Sequence, residues 1–138
     1  MSKERGGVFI AADINDGNLN FSNETFDVVV ASEVLYYIKD RENLIKEIHR
    51  VLKNNGIFTG SVINTFSLIN KIRFFLEQPE KIDITQREHI YFFSFKRLKR
   101  LLKQFFPTVE VVSFSRIKIL KNIFPFWFSV TLGFYCKK

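Results

Sequence analysis

The chain has 138 residues, 46% of them hydrophobic and 25% charged, a balance that excludes an intrinsically disordered segment and suits one domain around a single core. Its one cysteine, Cys136, excludes an intramolecular disulfide and fits a reducing compartment, and Met1 to Arg5 lead into no apolar signal segment, so the expectation is a cytoplasmic protein. The net charge of +7 would permit weak attraction to nucleic acid or anionic lipid, but scattered solvated lysines account for it more simply.

In chain order, Val8-Phe9-Ile10-Ala11-Ala12 reads as a first strand, with Asp13-Ile14-Asn15-Asp16-Gly17 as the loop at its carboxyl end. Taken alone, Asp13 in that loop is an ordinary Asx-turn residue. Phe26-Asp27-Val28-Val29-Val30-Ala31 is rich in β-branched residues and follows the turn-like Ser22-Asn23-Glu24, the pattern of a strand buried on both faces. Asp40 stands where an N-cap belongs, and Leu44, Ile45, Ile48, Val51 and Leu52 recur on one helical face. Glu42 and Lys46 are one turn apart, as for an ion pair, and Asn54-Asn55-Gly56 supplies the residues of a left-handed C-terminal cap. Ile57 to Ile63 is a second strand of the same type. A strand, helix and strand with short connections predict a right-handed parallel βαβ unit.

Asn64 or Thr65 is placed to cap a helix carrying Leu68, Ile69, Ile72, Phe75 and Leu76, which Pro79 ends. Residues 79–88 are polar and read as a loop of the kind that closes over a site. Ser94 suits an N-cap. After it, Phe95, Leu98, Leu101, Leu102 and Phe105 form one helical face, and Lys96, Arg97, Lys99, Arg100 and Lys103 the other. Such a basic amphipathic helix suits an anionic membrane or one face of a sheet, and the strand signals on both sides favour the sheet. Pro107 ends it, and Thr108 to Phe114 is the next strand. Beyond Ile117 the apolar residues are broken by Lys118, Lys121, Asn122 and Pro125, which excludes a spanning helix of about 20 uninterrupted apolar residues. Phe126, Phe128, Val130, Leu132 and Phe134 alternate with Trp127, Ser129, Thr131, Gly133 and Tyr135, the period of a final strand.

Several of these stretches resemble one family. FDVVVASEVL at Phe26 to Leu35, followed by EIHRVLKNNG at Glu47 to Gly56, is similar to the fourth strand, following helix and fifth-strand entry of class I S-adenosylmethionine-dependent methyltransferases. Ala12-Asp13-Ile14 with Leu19-Asn20-Phe21 resembles the family's third-strand motif, and HIYFFS at His89 to Ser94 resembles an H-x-x-F-[ST] stretch in the lid of its small-molecule branches. Tyr37 departs from the family's histidine, and Asn54-Asn55 from its proline and glycine, although Asn55 reaches the same backbone. The resemblance implies an α/β fold: a partial Rossmann-like mixed sheet in family strand order 3-4-5-7-6, the last strand antiparallel, in a single incomplete domain over residues 1–138. It implies cofactor contacts at Asp13, accepting from the adenine amino group, at the Ile14 backbone N–H, and at Ala31, Ser32 and Glu33. Tyr37 and His89 would face the substrate, and His89, Glu33 and Tyr36 are the groups to test as a general base. A histidine simply hydrogen-bonded in its loop is an equally good reading of His89.

The family's glycine-rich GxGxG turn, which cradles the methionine end of the cofactor, has no counterpart among the six glycines, nor does the acid that holds the ribose. His49 and His89 have no partners at metal-ligand spacing, and no Walker loop or nucleophile elbow is present. The expectation is therefore S-adenosylmethionine-dependent methyl transfer to a small molecule, by a chain that keeps the adenine side and the lid and binds the cofactor weakly or not at all. The alternatives are a non-catalytic remnant that associates with another chain, and a peripheral basic binder of membrane or nucleic acid. No nucleic acid and no transmembrane segment are expected, whereas self-association through the bared Phe26 strand is.

Overall fold

The β-branched run forms strand β1, Phe26–Ser32, and the loop after it leads into helix α1, Arg41–Val51. The computed structural model describes residues 10, 11, 13–76, 91–114, 127 and 129–138. Asp40 caps α1 through Oδ1, which accepts from the Asn43 N–H at 3.0 Å, and Leu44, Ile45, Ile48 and Val51 are its buried face. The ion pair on α1 is Arg50 with Glu47, at 2.7 Å, and not the expected Glu42 with Lys46. The helix ends one residue before Leu52, which is extended, fully buried and paired with Phe26 as the first residue of β2, Leu52–Ile63. Asn54-Asn55-Gly56 is accordingly a bulge rather than a helix cap. Between the pairs Phe26–Leu52 and Val28–Ile57 the longer β2 segment loops out, and Asn55 at φ 64° takes up the excess chain.

Helix α2, Leu68–Phe75, is capped by Ser67 and not by Asn64 or Thr65. Asn64 is still held by the sheet, donating its N–H to the Val130 carbonyl at 2.6 Å and bridging Phe93. The buried residue of α2 is Asn70, while Ile72, Phe75 and Leu76 of the expected apolar face are exposed. Ser94 caps α3, Phe95–Lys103, as its sequence predicts, and Leu98 and Leu102 are buried where α3 packs against β3, Thr108–Phe114. The final strand, β4, runs over Thr131–Lys137 and so starts later than its alternation suggests. Just before it Ser129 is buried, its Oγ donating to the Phe114 carbonyl and its carbonyl accepting from Asn64 Nδ2, bonds that end the ladder; Phe126 and Phe128 lie outside the described residues.

The sheet order is β1-β2-β4-β3, with β1 and β2 parallel and β4 antiparallel to both its neighbours. This is the expected α/β mixed sheet with an antiparallel last strand. The expected strand at Val8 to Ala12 is not seen: Ile10 and Ala11 are exposed and in no strand, and residues 8, 9 and 12 lie outside the described residues, so the full order 3-4-5-7-6 is not observed. Register puts Val29, Phe58, Cys136 and Val109 on one face, with Val62, Leu132 and Phe134, and there they join Ile45, Ile48, Leu98 and Leu102 of the helices in one core. On the opposite face Val30 aligns with Thr59, Tyr135 and Glu110, and this face is open. Val28 and Val30 are 49% and 66% exposed and Phe114 62%, which corrects the expectation of a β1 buried on both faces. Among the described residues no helix is long and apolar enough to cross a membrane.

Candidate functional site at the carboxyl edge of the parallel strands

Strand β1 ends at Ser32, and the chain turns at Glu33 with φ 56°, a left-handed conformation uncommon outside glycine and asparagine. The Glu33 N–H donates to the Ser61 carbonyl at 2.9 Å, and the Ser32 and Ser61 hydroxyls are 3.1 Å apart, so β1 and β2 stay joined to the very edge. Ala31 is buried beside Gly60, where a Cβ would collide with the Ala31 carbonyl and the Phe134 ring. Ser32 and Glu33 are exposed.

The second wall of the rim is a 3-10 turn, Ile14–Asp16. Asp13 caps it, its Oδ1 accepting from the Asn15 N–H at 2.9 Å, which is the Asx-turn geometry its sequence context predicts. Two amides fasten the turn to the start of α1: Asn15 Oδ1 accepts from the Lys39 N–H at 3.0 Å, and Asn43 Nδ2 donates to the Gly17 carbonyl at 2.9 Å. Since α1 begins at the carboxyl end of β1, these bonds bring Asp13 and Ile14 to the same edge as Ala31, Ser32 and Glu33. Asp13 is exposed, and Ile14 packs partly into the core.

Of the other candidates, Tyr36 is buried in the core with its ring 4.5 Å from that of the half-buried Tyr37. Its carbonyl accepts from the Tyr91 N–H, and the Arg41 guanidinium lies over the Tyr91 ring. Tyr36 is thus built into the packing, unlike the exposed Glu33. His89 and the loop 79–88 lie outside the described residues.

Sequence reasoning missed the residues that hold the stretch between the 3-10 turn and β1, at the far end of α1 from this rim. Arg50 donates to both Glu47 carboxylate oxygens, to the Leu19 and Phe21 carbonyls and to Asn23 Oδ1, at 2.7–2.9 Å, and Glu47 accepts in turn from the Leu19 N–H. The hydrogen bond from Arg50, aided by that from Leu19, holds the Glu47 carboxyl below its ordinary range against the cost of burial. The available signal was an acid and an arginine three apart on a helix, followed by a strand. His49 points elsewhere. Its ring lies 5.3 Å from Phe106, and burial, with Lys138 nearby, pushes its pKa down. Among the described residues no group of His, Cys, Asp and Glu is arranged to hold a metal.

Residues 2–59 match the family described as methyltransferase domain. The chain is 27% identical over 107 residues, 77% of its length and 47% of the other's, to the Rickettsia prowazekii protein named "Putative methyltransferase RP459". It is 30% identical over 82 residues, 45% of its length and 24% of the other's, to the human mitochondrial protein named arginine-hydroxylase NDUFAF5. It therefore spans about half the length or less of these curated relatives. Its fold matches the crystal structure of an S-adenosylmethionine-dependent methyltransferase from Mesorhizobium loti with a TM-score of 0.66, at 16% identity, covering 99% of this chain and 72% of that one. The chain carries the Rossmann-like fold of the class I S-adenosylmethionine-dependent methyltransferases.

Proposed function

We propose that the chain serves methyl transfer from S-adenosylmethionine to a small-molecule acceptor, and that it supplies the adenine side and part of the acceptor side of the site. The observation that carries this reading is that the turn holding Asp13 and Ile14 is tied by Asn15 and Asn43 to the start of α1, which the chain enters directly from Ala31, Ser32 and Glu33 at the carboxyl end of β1. Ligands of open α/β sheets bind at that edge. The residues present fit the adenine end of the cofactor. An exposed carboxylate at Asp13 suits an amino group, and the partly buried Ile14 suits an apolar ring edge. They do not supply the glycine-rich turn or ribose acid of the other end.

Bound S-adenosylmethionine would supply a methyl group already activated by its sulfonium. What this chain's residues would do is position: Asp13 and Ile14 orient the purine, Tyr37 walls the acceptor, and Glu33 takes the acceptor's proton at its carboxylate where the acceptor needs a base. The methyltransferase reading is preferred to arginine hydroxylation because the match to the Rickettsia protein covers 77% of this chain against 45% for the human hydroxylase. Amide chemical-shift mapping with adenosine and with S-adenosylmethionine tests it. The expected result is shifts confined to Asp13 to Asn15 and Ala31 to Glu33, abolished by Asp13→Ala, with calorimetric affinity for the whole cofactor weaker than micromolar. No shift at those residues with either compound would overturn the reading.

The open sheet face supports a second reading, a methyltransferase-like chain that acts through association. Val28 and Val30 lie exposed on a strand that is at the edge of the sheet among the described residues, and such an edge recruits another strand. Self-association through β1 is compatible with the first reading.

A further inference from the structure

A second concavity, of about 260 Å³, lies past the end of β2 and is lined by Asn64, Phe66, Ser94, Phe95, Lys96 and Trp127. Three segments distant in sequence meet there. Asn64 directly follows β2, and its parallel bridge to Phe93 brings the start of α3 alongside. The Leu68 N–H donates to the Trp127 carbonyl at 2.6 Å and brings Trp127 to the wall that Phe66 also lines. The floor is rigid, because the buried Asn64 donates through its backbone to Val130 and through Nδ2 to Ser129, while its carbonyl accepts from Asn70 Nδ2.

The chemistry of the lining is one-sided. Three of the six side chains are aromatic, one is an ammonium, two are neutral hydrogen-bonding groups, and none is a carboxylate. Phe66 and Trp127 are 47% and 59% exposed, so aromatic surface of this wall is accessible to a ligand. Two more cations stand at the rim, Lys71 over the Trp127 ring and Arg97 over the Phe66 ring, 6.0 and 5.8 Å from the centroids. Ser94, Phe95 and Lys96 are also the cap and first residues of α3, the end of a helix that favours negative charge. The volume falls just below the range of about 300–1,000 Å³ for drug-sized ligands, which suits a single ring bearing one or two substituents.

We infer that this cavity binds a small planar anion built on an aromatic ring, of the aromatic carboxylate class, with the ring against Phe66, Phe95 and Trp127 and the anionic group at Lys96. That this anion is the methyl acceptor rests on the methyl-transfer reading; its binding does not. Trp127 is the chain's one tryptophan, so indole fluorescence of the full chain reports on this wall directly. The experiment titrates benzoate, benzamide and cyclohexanecarboxylate in the absence of cofactor. Benzoate should give a saturable change. Benzamide, which lacks the charge, and cyclohexanecarboxylate, which lacks the flat ring, should each bind about tenfold more weakly, the factor that one lost charge or stacking contact of this size produces. Lys96→Gln, an exposed position whose loss the fold tolerates, should erase the preference of benzoate over benzamide. The inference is overturned if none of the three compounds gives a saturable change, if benzoate and benzamide bind wild-type protein equally, or if Lys96→Gln leaves their ratio intact. Its failure would leave the adenosine shifts at Asp13 and Glu33 untouched, and loss of those shifts would leave the benzoate result untouched.

Discussion

Cys136 faces the core from β4 and is fully buried, and burial alone pushes its thiol up to about 12. A thiol held protonated and out of water is a poor nucleophile. Native protein should therefore resist a disulfide reagent such as dithionitrobenzoate for hours and release one equivalent of thiolate at once in denaturant; fast native reaction would show that β4 opens. Two other residues tie stability to pH. His49 has its pKa pushed below the ordinary 6.5, first by burial and then by Lys138, so the unfolded chain takes up this proton before the folded one. Its contribution is complete above about pH 6.5 and is lost as the pH falls from there through the folded-state value. Glu47, held down first by its hydrogen bond from Arg50, contributes fully above its ordinary 4.5 and loses that contribution as the pH falls through its lower folded value. Thermal melts between pH 8 and 3 should thus show stability declining in two stages. His49→Asn should flatten the upper stage and Glu47→Gln the lower, and a profile unchanged by either substitution would contradict the assignment.

At the scale of elements, the sheet depends on two contrasted residues of β2. Phe58 is fully buried, with its ring 5.7 Å from Phe106 and 4.9 Å from Phe134, and so joins β2, β4 and the segment after α3. Phe58→Ala should lower unfolding free energy by about 3–5 kcal/mol, through lost transfer energy and the cavity left behind. Gly60 pairs with Ala31 on one side and Phe134 on the other, and a methyl group there would strike the Ala31 carbonyl, a backbone atom that cannot move without spreading the strands. Gly60→Ala should cost about 1–3 kcal/mol although it adds apolar volume. Urea titrations check both, with the midpoint falling and the slope unchanged. Gly60→Ala should in addition shift the Ser32 and Glu33 amides, because the carboxyl edge of β1 is held through this same pairing. Arg50 acts at the same scale. One guanidinium spans from Leu19 to Asn23 and orders the stretch between the 3-10 turn and β1.

For the whole molecule, the consequence of the architecture is an asymmetric sheet. Helices α1 and α3 bury one face, and the other shows Val28, Val30, Val112 and Phe114 to solvent. Among the described residues β1 pairs only with β2, so this edge strand offers backbone donors and acceptors beside apolar side chains. Covering one such side chain is worth roughly 1.5–3 kcal/mol, more than scattered surface charges oppose. The 138-residue chain should accordingly self-associate, with scattering mass rising over a concentration series, and Val30→Lys should shift it toward monomer. A concentration-independent monomer whose β1 amides exchange fast would contradict this.

Much of this was legible in the amino-acid sequence, because short-range chemistry settles it. The caps at Asp40 and Ser94, the covering role of the Phe95 helix, the span Thr108 to Phe114 and the alternation that buries Leu132 and Phe134 all depend on residues within a turn or two of one another. The motif stretches likewise led to Asp13, Ile14, Ala31, Ser32 and Glu33, whose part in cofactor binding is the proposal made above. The tertiary structure alone decided the rest. Leu52 had an apolar side chain fit for the helix face or for the strand, and its pairing with Phe26, far away in sequence, drew it into β2 and made Asn54-Asn55-Gly56 a bulge. Asn64 lost its capping role to Ser67 because the sheet and Ser129 already held it. The Arg50 clamp on Leu19, 31 positions away, and the meeting of Asn64, Ser94 and Trp127 around one cavity follow from register between segments that no local pattern relates. Propensity and capping act over about one helical turn, whereas burial and strand register are decided by which distant side chains share a face.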